Sequence, residues 1–243
     1  MDEKDSEILA VIIGRSGSKG VASKNTRLVA GLPMITHTIV DAQQARHIDR
    51  VIVSTDGPDI ASAARDMGIE VITRPADLAT DVATVADTVR HAVQASGQMS
   101  QIIVILYANV PVRPDDLIDR AVHTLINSGA DSVQSYSDVG KHHPWWMVQL
   151  DSEGRVQVES TKPIDRRQDL PPRFLPDGGV IVVTRHSLMT PKNDHPHAFL
   201  GNDRRGIISP PSSVLDVDNE IDLAVAEALL ARKPHKDTTE ALS

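Results

Sequence analysis

Two groups of residues in this chain are equipped for chemistry, and they lie near its opposite ends. The first is GRSGSKGVASKN, residues 14–25, where Gly14, Gly17 and Gly20 alternate with Arg15, Ser16, Ser18 and Lys19 before Lys24 and Asn25. Glycines let a backbone turn sharply and bring its N–H groups close to a ligand. With two serine hydroxyls and cations from Arg15, Lys19 and Lys24, the loop suits a polyphosphate, because charge-assisted bonds to phosphate are the strong kind. The second group is Asp216 and Asp218 in Leu-Asp-Val-Asp. On a strand, positions i and i+2 share a face, so this alternation predicts a buried apolar side and two converging carboxylates. A hard divalent cation with oxygen ligands, Mg²⁺ above all, relieves their repulsion.

Neither group settles its chemistry alone. The loop is not GxxxxGK[ST], because Lys19 precedes Gly20, and its G-x-x-G-x-x-G spacing is not GxGxxG. Bare residues equally admit a Gly/Ser turn with solvated lysines, although a basic loop is out of keeping with an acidic chain. Asp218 or Asn219 equally reads as the N-cap of a final helix.

The elements that must position these groups alternate along the chain. Residues 8–14 form an unbroken apolar run with β-branched residues at its centre, the mark of a strand buried on both faces. Strands are expected at 50–56, 69–73 and 101–107, and helices from 34, at 58–67, 82–95 and 115–127. That rhythm predicts an α/β fold: a mainly parallel sheet flanked by helices, with the glycine loop at the carboxyl end of its first strand. From residue 130 short strands follow without helices, so 137–176 reads as an antiparallel excursion. Trp145 and Trp146 within it are expected on a strand with opposite orientations, one of them covered by a partner subunit. The core resumes at 179–184 and closes with an amphipathic helix at 219–232. Residues 1–232 thus read as one domain and 233–243 as a disordered tail.

Composition narrows the function. The 243 residues carry a net charge of −8, which argues against a nucleic-acid binder. The absence of cysteine removes disulfides, thiolate metal sites and cysteine nucleophiles, and suits a cytoplasmic protein. The acidic start MDEKDSE is no signal peptide, and no apolar run approaches the ~18 residues of a membrane span. His142-His143 and His195-Pro196-His197 lack the i, i+4 spacing of a helical zinc pair.

The chain resembles the acylneuraminate cytidylyltransferases, the CMP-sialic acid synthetase family, whose N-terminal motif has the form AR-x-GSKG-x-x-x-KN. The resemblance recurs at VIVSTDGPDIASAARDMG, RPADLATD, RRQDLPPRFLPDGG and LDVDNEIDLAVAEALL, from about Ile8 to Leu230. It implies a Rossmann-like nucleotide-diphospho-sugar transferase fold, homodimers formed through the antiparallel excursion, and transfer of CMP from CTP to an acidic 2-keto-3-deoxy sugar. It also implies Mg²⁺ on Asp216 and Asp218, with Arg15 and Lys19 acting on developing phosphate charge. Gly17, Ser18, Gly20, Lys24 and Asn25 would face the nucleotide, with Arg74 and Thr84 near base and ribose; by itself Arg74 equally reads as a surface arginine.

On the sugar side the resemblance implies Tyr107, Arg113, Arg167, Gln168 and Phe199, the Arg167 segment coming from the neighbouring subunit; the bare residues also fit a solvated basic turn. Three positions depart from the family pattern. Tyr107 stands for a glutamine and lacks its paired donor and acceptor; Ile181 stands for a tyrosine and Phe199-Leu200 for a pair of phenylalanines, and these two changes thin the aromatic surface expected around the sugar. Other readings of the same fold are a different sugar nucleotidyltransferase, a sugar-nucleotide-dependent glycosyltransferase, or a nucleotide-binding relative without activity.

Overall fold

The structure, a computed structural model, describes residues 7–17, 21, 23–158 and 166–232. In chain order its elements are β1 (Ile8–Ile13), β2 (Leu28–Val29), β3 (Leu32–Pro33), α1 (Met34–Gln44), β4 (Arg50–Thr55), α2 (Pro58–Asp66), β5 (Glu70–Thr73), α3 (Val85–Ala95) and β6 (Ile102–Tyr107). Then come α4 (Leu117–Ser128), β7 (Ser132–Asp138), β8 (Val148–Leu150), β9 (Val156–Val158), β10 (Phe174–Thr184), α5 (Arg185–Met189), β11 (Arg204–Ile208) and α6 (Glu220–Leu230).

Seven strands form one sheet in the order β11-β7-β10-β6-β1-β4-β5. Only β10 runs against its neighbours β6 and β7; the other pairs are parallel. Both faces of β1 are covered, which is why its sequence shows no polar alternation. Ile8, Ala10 and Ile12 pack with Ile35 and Ile39 of α1, Ile60 of α2 and Leu117 of α4. Leu9, Val11 and Ile13 pack on the opposite face with Val89 and Val93 of α3 and Leu188 of α5. The mainly parallel α/β architecture is therefore as expected, with helix starts two or three residues later than the apolar pattern suggested at α3 and α4.

Three local expectations fail. Trp145 and Trp146 are not on a strand but in a 3₁₀ turn, Pro144–Trp146, whose entry is capped by the His143 ring accepting from the Trp145 N–H. Trp145 stands edge-on to His143 with Arg173 over its ring. Second, Asp216 and Asp218 are not on a strand; that segment is tied to the rest of the fold by an isolated bridge, Val112 to Leu215, and by the Val217 N–H donating to the Asn109 carbonyl at 2.9 Å. Third, Ile181 does not face a cleft. It pairs with Ile105 and is 4% exposed in the core, so the residue type there says nothing about a sugar surface. The excursion itself contains the β8–β9 hairpin. The tail at 233–243 lies outside the described residues.

Candidate active site

The carboxyl ends of β1 and β6 open on a cleft of about 430 Å³ lined by Gly14, Arg15, Lys24, Asn25, Arg74, Tyr107, Asn109 and Asp218, among others. Its size is that of a small-ligand site. The glycine loop leaves β1 where only glycine fits: a Cβ on Gly14 would stand 2.8 Å from that of Ala108. The two arms of the loop are latched by Asn25, whose Nδ2 donates to the Arg15 carbonyl at 2.9 Å. Gly17 is exposed, and Ser18, Lys19 and Gly20 lie outside the described residues.

Opposite the loop is the carboxylate pair. Lys24 Nζ donates to Asp218 Oδ1 at 2.9 Å, joining residues 194 apart in the chain. The Asp218 side chain is 70% exposed, so this pair adds little stability; its meaning is positional. Asp216 keeps an edge open to solvent, yet its carboxyl is crowded by protein. Lost solvation first, and the charge of Asp218 second, push its pKa up to about 6, while Lys24 opposes the shift. Asn109 holds the same carboxylate through its Nδ2, which also reaches the Val217 carbonyl at 3.3 Å. Under-neutralised carboxylates of this kind suit a hard cation, and Mg²⁺ commonly takes only one or two protein carboxylates beside substrate phosphates. No cluster of three or more His, Asp or Glu that could hold a metal occurs among the described residues.

The DVD segment is set by its neighbours. Asn219 caps α6 by accepting from Ile221 N and Asp222 N, while Asp222 accepts from Asn219 N in return. Asp218 N also donates to Asp222. The alternative that Asn219 is a cap is therefore correct, and it leaves both carboxylates of the pair at the cleft end of the helix.

Arg74 is 7% exposed and built into the cleft wall. Its guanidinium donates to Ser54 Oγ at 3.3 Å and to the Ser54 carbonyl at 2.7 Å. Burial lowers its pKa, and Asp56 opposes that. It is thus no surface arginine. Thr84 caps α3, accepting from Asp87 N at 3.0 Å, between Ala83 and Val85 of the cleft lining. Tyr107 lines the cleft too; burial, then the Asp216 charge, raise its phenol to about 12.

Two expected sugar contacts are elsewhere. Arg113 is 2% exposed beneath the cleft. It donates to the carbonyls of Gly179 (2.7 Å), Val110 (2.6 Å) and Tyr107 (3.1 Å), to Thr38 Oγ1 (3.1 Å) and to Asp41 (3.3 Å). Those bonds brace the backbone under the cleft, so Arg113 supports the site instead of lining it. Phe199 is 3% exposed and packs in the core around Leu188 and Ile181; a buried ring there cannot reach a ligand. Arg167 and Gln168 form an exposed turn, Arg167–Asp169, beside Gly140, outside the cleft lining of their own chain.

Two residues of the site carry roles that sequence reasoning missed: Asn109 orients Asp216, and Asp81 pairs with Arg15 at 2.6 Å across the cleft. Asp56, after a strand and before Gly57-Pro58, reads from sequence most simply as a turn residue and secondly as one that orients the nucleotide loop; it bonds that loop through Ser16. Asp81 closes the RPADLATD segment; nothing local reveals its partner.

A mainly parallel α/β sheet opening on this cationic cleft has the Rossmann-like nucleotide-diphospho-sugar transferase fold. A solved structure of CMP:2-keto-3-deoxy-manno-octonic acid synthetase complexed with CTP superposes with a TM-score of 0.70 at 19% identity, covering 93% of this chain and 99% of that one. The chain belongs to the cytidylyltransferase family, whose model matches residues 9–175. It is 32% identical over 92% of its length to the CMP-N,N'-diacetyllegionaminic acid synthase of Legionella pneumophila, covering 96% of that protein. It is also 30% identical to the N-acylneuraminate cytidylyltransferase of Streptococcus agalactiae over 76% of this chain, 45% of that one. No helix among the described residues is long and apolar enough to cross a membrane.

Proposed function

We propose that the protein transfers the cytidylyl group of CTP to an acidic 2-keto-3-deoxy sugar, sialic acid or a related nonulosonic acid. The observation that carries this reading is the Lys24–Asp218 contact, which brings the glycine loop and the carboxylate pair into one cleft. The anomeric hydroxyl of the sugar attacks the α-phosphorus of CTP; the new O–P bond gives the CMP-sugar, and the bond to the β-phosphate breaks to release pyrophosphate. Arg15, Lys19 and Lys24, with the N–H groups around Gly17, Ser18 and Gly20, hold the triphosphate and neutralise charge on the departing pyrophosphate. Asn25 fixes the loop, and Arg74 and Thr84 border the space for ribose and base. Asp216 and Asp218 hold Mg²⁺, which supplies electrostatic stabilisation of the phosphates. Catalysis of this kind is positioning and electrostatics, and needs no nucleophilic side chain.

The sugar binds beside Tyr107. Arg167 and Gln168 reach it from a second subunit of a homodimer, where an arginine is apt for a carboxylate. The β8–β9 hairpin supports that assembly. Its register puts Val148 opposite Val158 and Leu150 opposite Val156, a single apolar face with each residue between 48% and 66% exposed. Such a face is atypical of a surface left in water. A cytoplasmic location fits a chain without cysteine.

The test is pyrophosphate release from each of the four ribonucleoside triphosphates with a panel of acidic and neutral sugars. Release with CTP and an acidic 2-keto-3-deoxy sugar is expected. Release with another triphosphate, or none with CTP and any acidic sugar, contradicts the assignment.

A further inference from the structure

Asp56 does not line the cleft, yet it is bonded to the residue that follows Arg15. Ser16 N donates to Asp56 Oδ1 at 2.9 Å, and Ser16 Oγ donates to Asp56 Oδ2 at 2.5 Å. One carboxylate therefore clasps both the backbone and the side chain of a single loop residue. The approach is close by construction. A Cβ on Gly57 would lie 3.2 Å from Ser16 Cβ and 3.1 Å from Ile60 Cδ1, so the bare backbone after Asp56 leaves the seat for Ser16. Gly57 N donates to Thr55 Oγ1 at 3.0 Å, fixing the turn that presents Asp56.

The consequences reach both cations at this end of the cleft. With Ser16 held from one side and the Arg15 carbonyl held by Asn25 from the other, the Arg15 backbone has little freedom, and its side chain is aimed across at Asp81. Asp56 also supplies charge that offsets the burial of Arg74. A solvated turn aspartate would have no reason to spend both oxygens on one glycine-loop residue. Its own carboxyl is lowered: lost solvation alone would raise it, and the bonds from Ser16, with its own backbone N–H and the charge of Arg74, together outweigh that.

We infer that Asp56 is a positioning residue for nucleotide binding, holding the glycine loop through Ser16 so that Arg15 points into the cleft. The inference rests on the reading of the cleft as a CTP site.

The experiment is calorimetric titration of Mg²⁺-CTP into the wild type and the Asp56→Ala, Asp56→Asn, Ser16→Ala, Arg15→Ala and Arg15→Ala/Asp56→Ala variants, with KM measured for both substrates. Loss of charge-assisted bonds predicts about a tenfold weaker Kd in Asp56→Ala. Asp56→Asn should fall between it and the wild type. Ser16→Ala keeps the backbone bond, so it should fold and show a smaller loss in the same direction. KM for CTP should rise while KM for the sugar holds, and Asp56→Ala should add less than about threefold when Arg15 is already alanine. An unchanged CTP affinity in both Asp56→Ala and Ser16→Ala, an equal rise in both KM values, or an undiminished effect in the Arg15→Ala background overturns the inference while leaving the CTP reading intact. Failure of the wild type itself to bind CTP overturns the reading of the cleft, and this inference with it.

Discussion

Replacing Arg113 by methionine separates support from ligand contact. The side chain is 1% exposed, and its carboxylate partner Asp41 is 11% exposed. Methionine keeps much of the volume but leaves a carboxylate and three carbonyls short of a donor. Breaking a buried ion pair from one side costs about 3–5 kcal/mol, because the remaining charge stays buried without that partner. The Tyr107 and Val110 carbonyls keep the Thr38 hydroxyl as a donor at 3.2 and 3.1 Å, so the pair value is the better guide. For a chain of this size, about 2–4 °C of Tm per kcal/mol gives a drop of roughly 6–20 °C. Chemical denaturation and scanning calorimetry measure both quantities. Asp41→Asn in the same background should recover part of the loss by removing the buried charge that Arg113 balanced. If Arg113→Met stays within about 1 kcal/mol of the wild type while KM for the sugar climbs, Arg113 is a ligand contact and the bracing role is wrong.

Other perturbations address separate parts of the account. Lys24→Met should raise KM for CTP by about tenfold or more, since a charge-assisted phosphate contact is lost; initial-rate kinetics at saturating sugar decide it, and an unchanged KM removes Lys24 from the triphosphate site. Charging the hairpin face with Leu150→Glu and Val156→Glu should convert a homodimer to monomers by sedimentation and weaken sugar use together; an intact dimer shows that the face is not the interface. Asp119 accepts from His47 N, His47 Nδ1 and Arg46 Nε. Burial would raise its carboxyl, and these bonds outweigh burial and leave its pKa lowered. A lowered folded pKa contributes stability that is present above the unfolded value of about 3.9 and lost as pH falls through the folded one. Asp119→Asn should therefore be less stable at neutral pH and show a flatter decline below pH 4 in denaturation curves; an identical decline refutes the link.

What was legible in the chain was whatever local pattern dictates. An apolar run such as residues 8–13 can only be a strand covered on both sides, and a glycine loop straight after it must sit at that strand's carboxyl end. The acidic pair was found for a reason that proved incomplete. Alternation in LDVD suggested a strand, whereas Asp216 is placed by Asn109, 107 residues earlier, and by the cap of α6. Orientation toward or away from the cleft was the part that sequence did not carry. Arg113 and Tyr107 are six residues apart, yet one lies beneath the cleft and the other lines it, because the turn between them is folded around the arginine's own hydrogen bonds. Ile181 and Phe199 are apolar residues near site segments; the register of β10 against β6 puts Ile181 in the core, and the 3₁₀ turn Ala198–Leu200 buries Phe199 against the same cluster. Asp56 and Asp81 gain their roles from partners 40 and 66 residues away, which no local motif encodes.

The most direct measurement is a crystal structure of the protein with CTP and Mg²⁺. The account predicts the triphosphate within about 2.7–2.9 Å of Arg15 and Lys24 nitrogens, with the cation between Asp216, Asp218 and the phosphates. A nucleotide bound away from this cleft, or a cation with neither aspartate among its ligands, would contradict it.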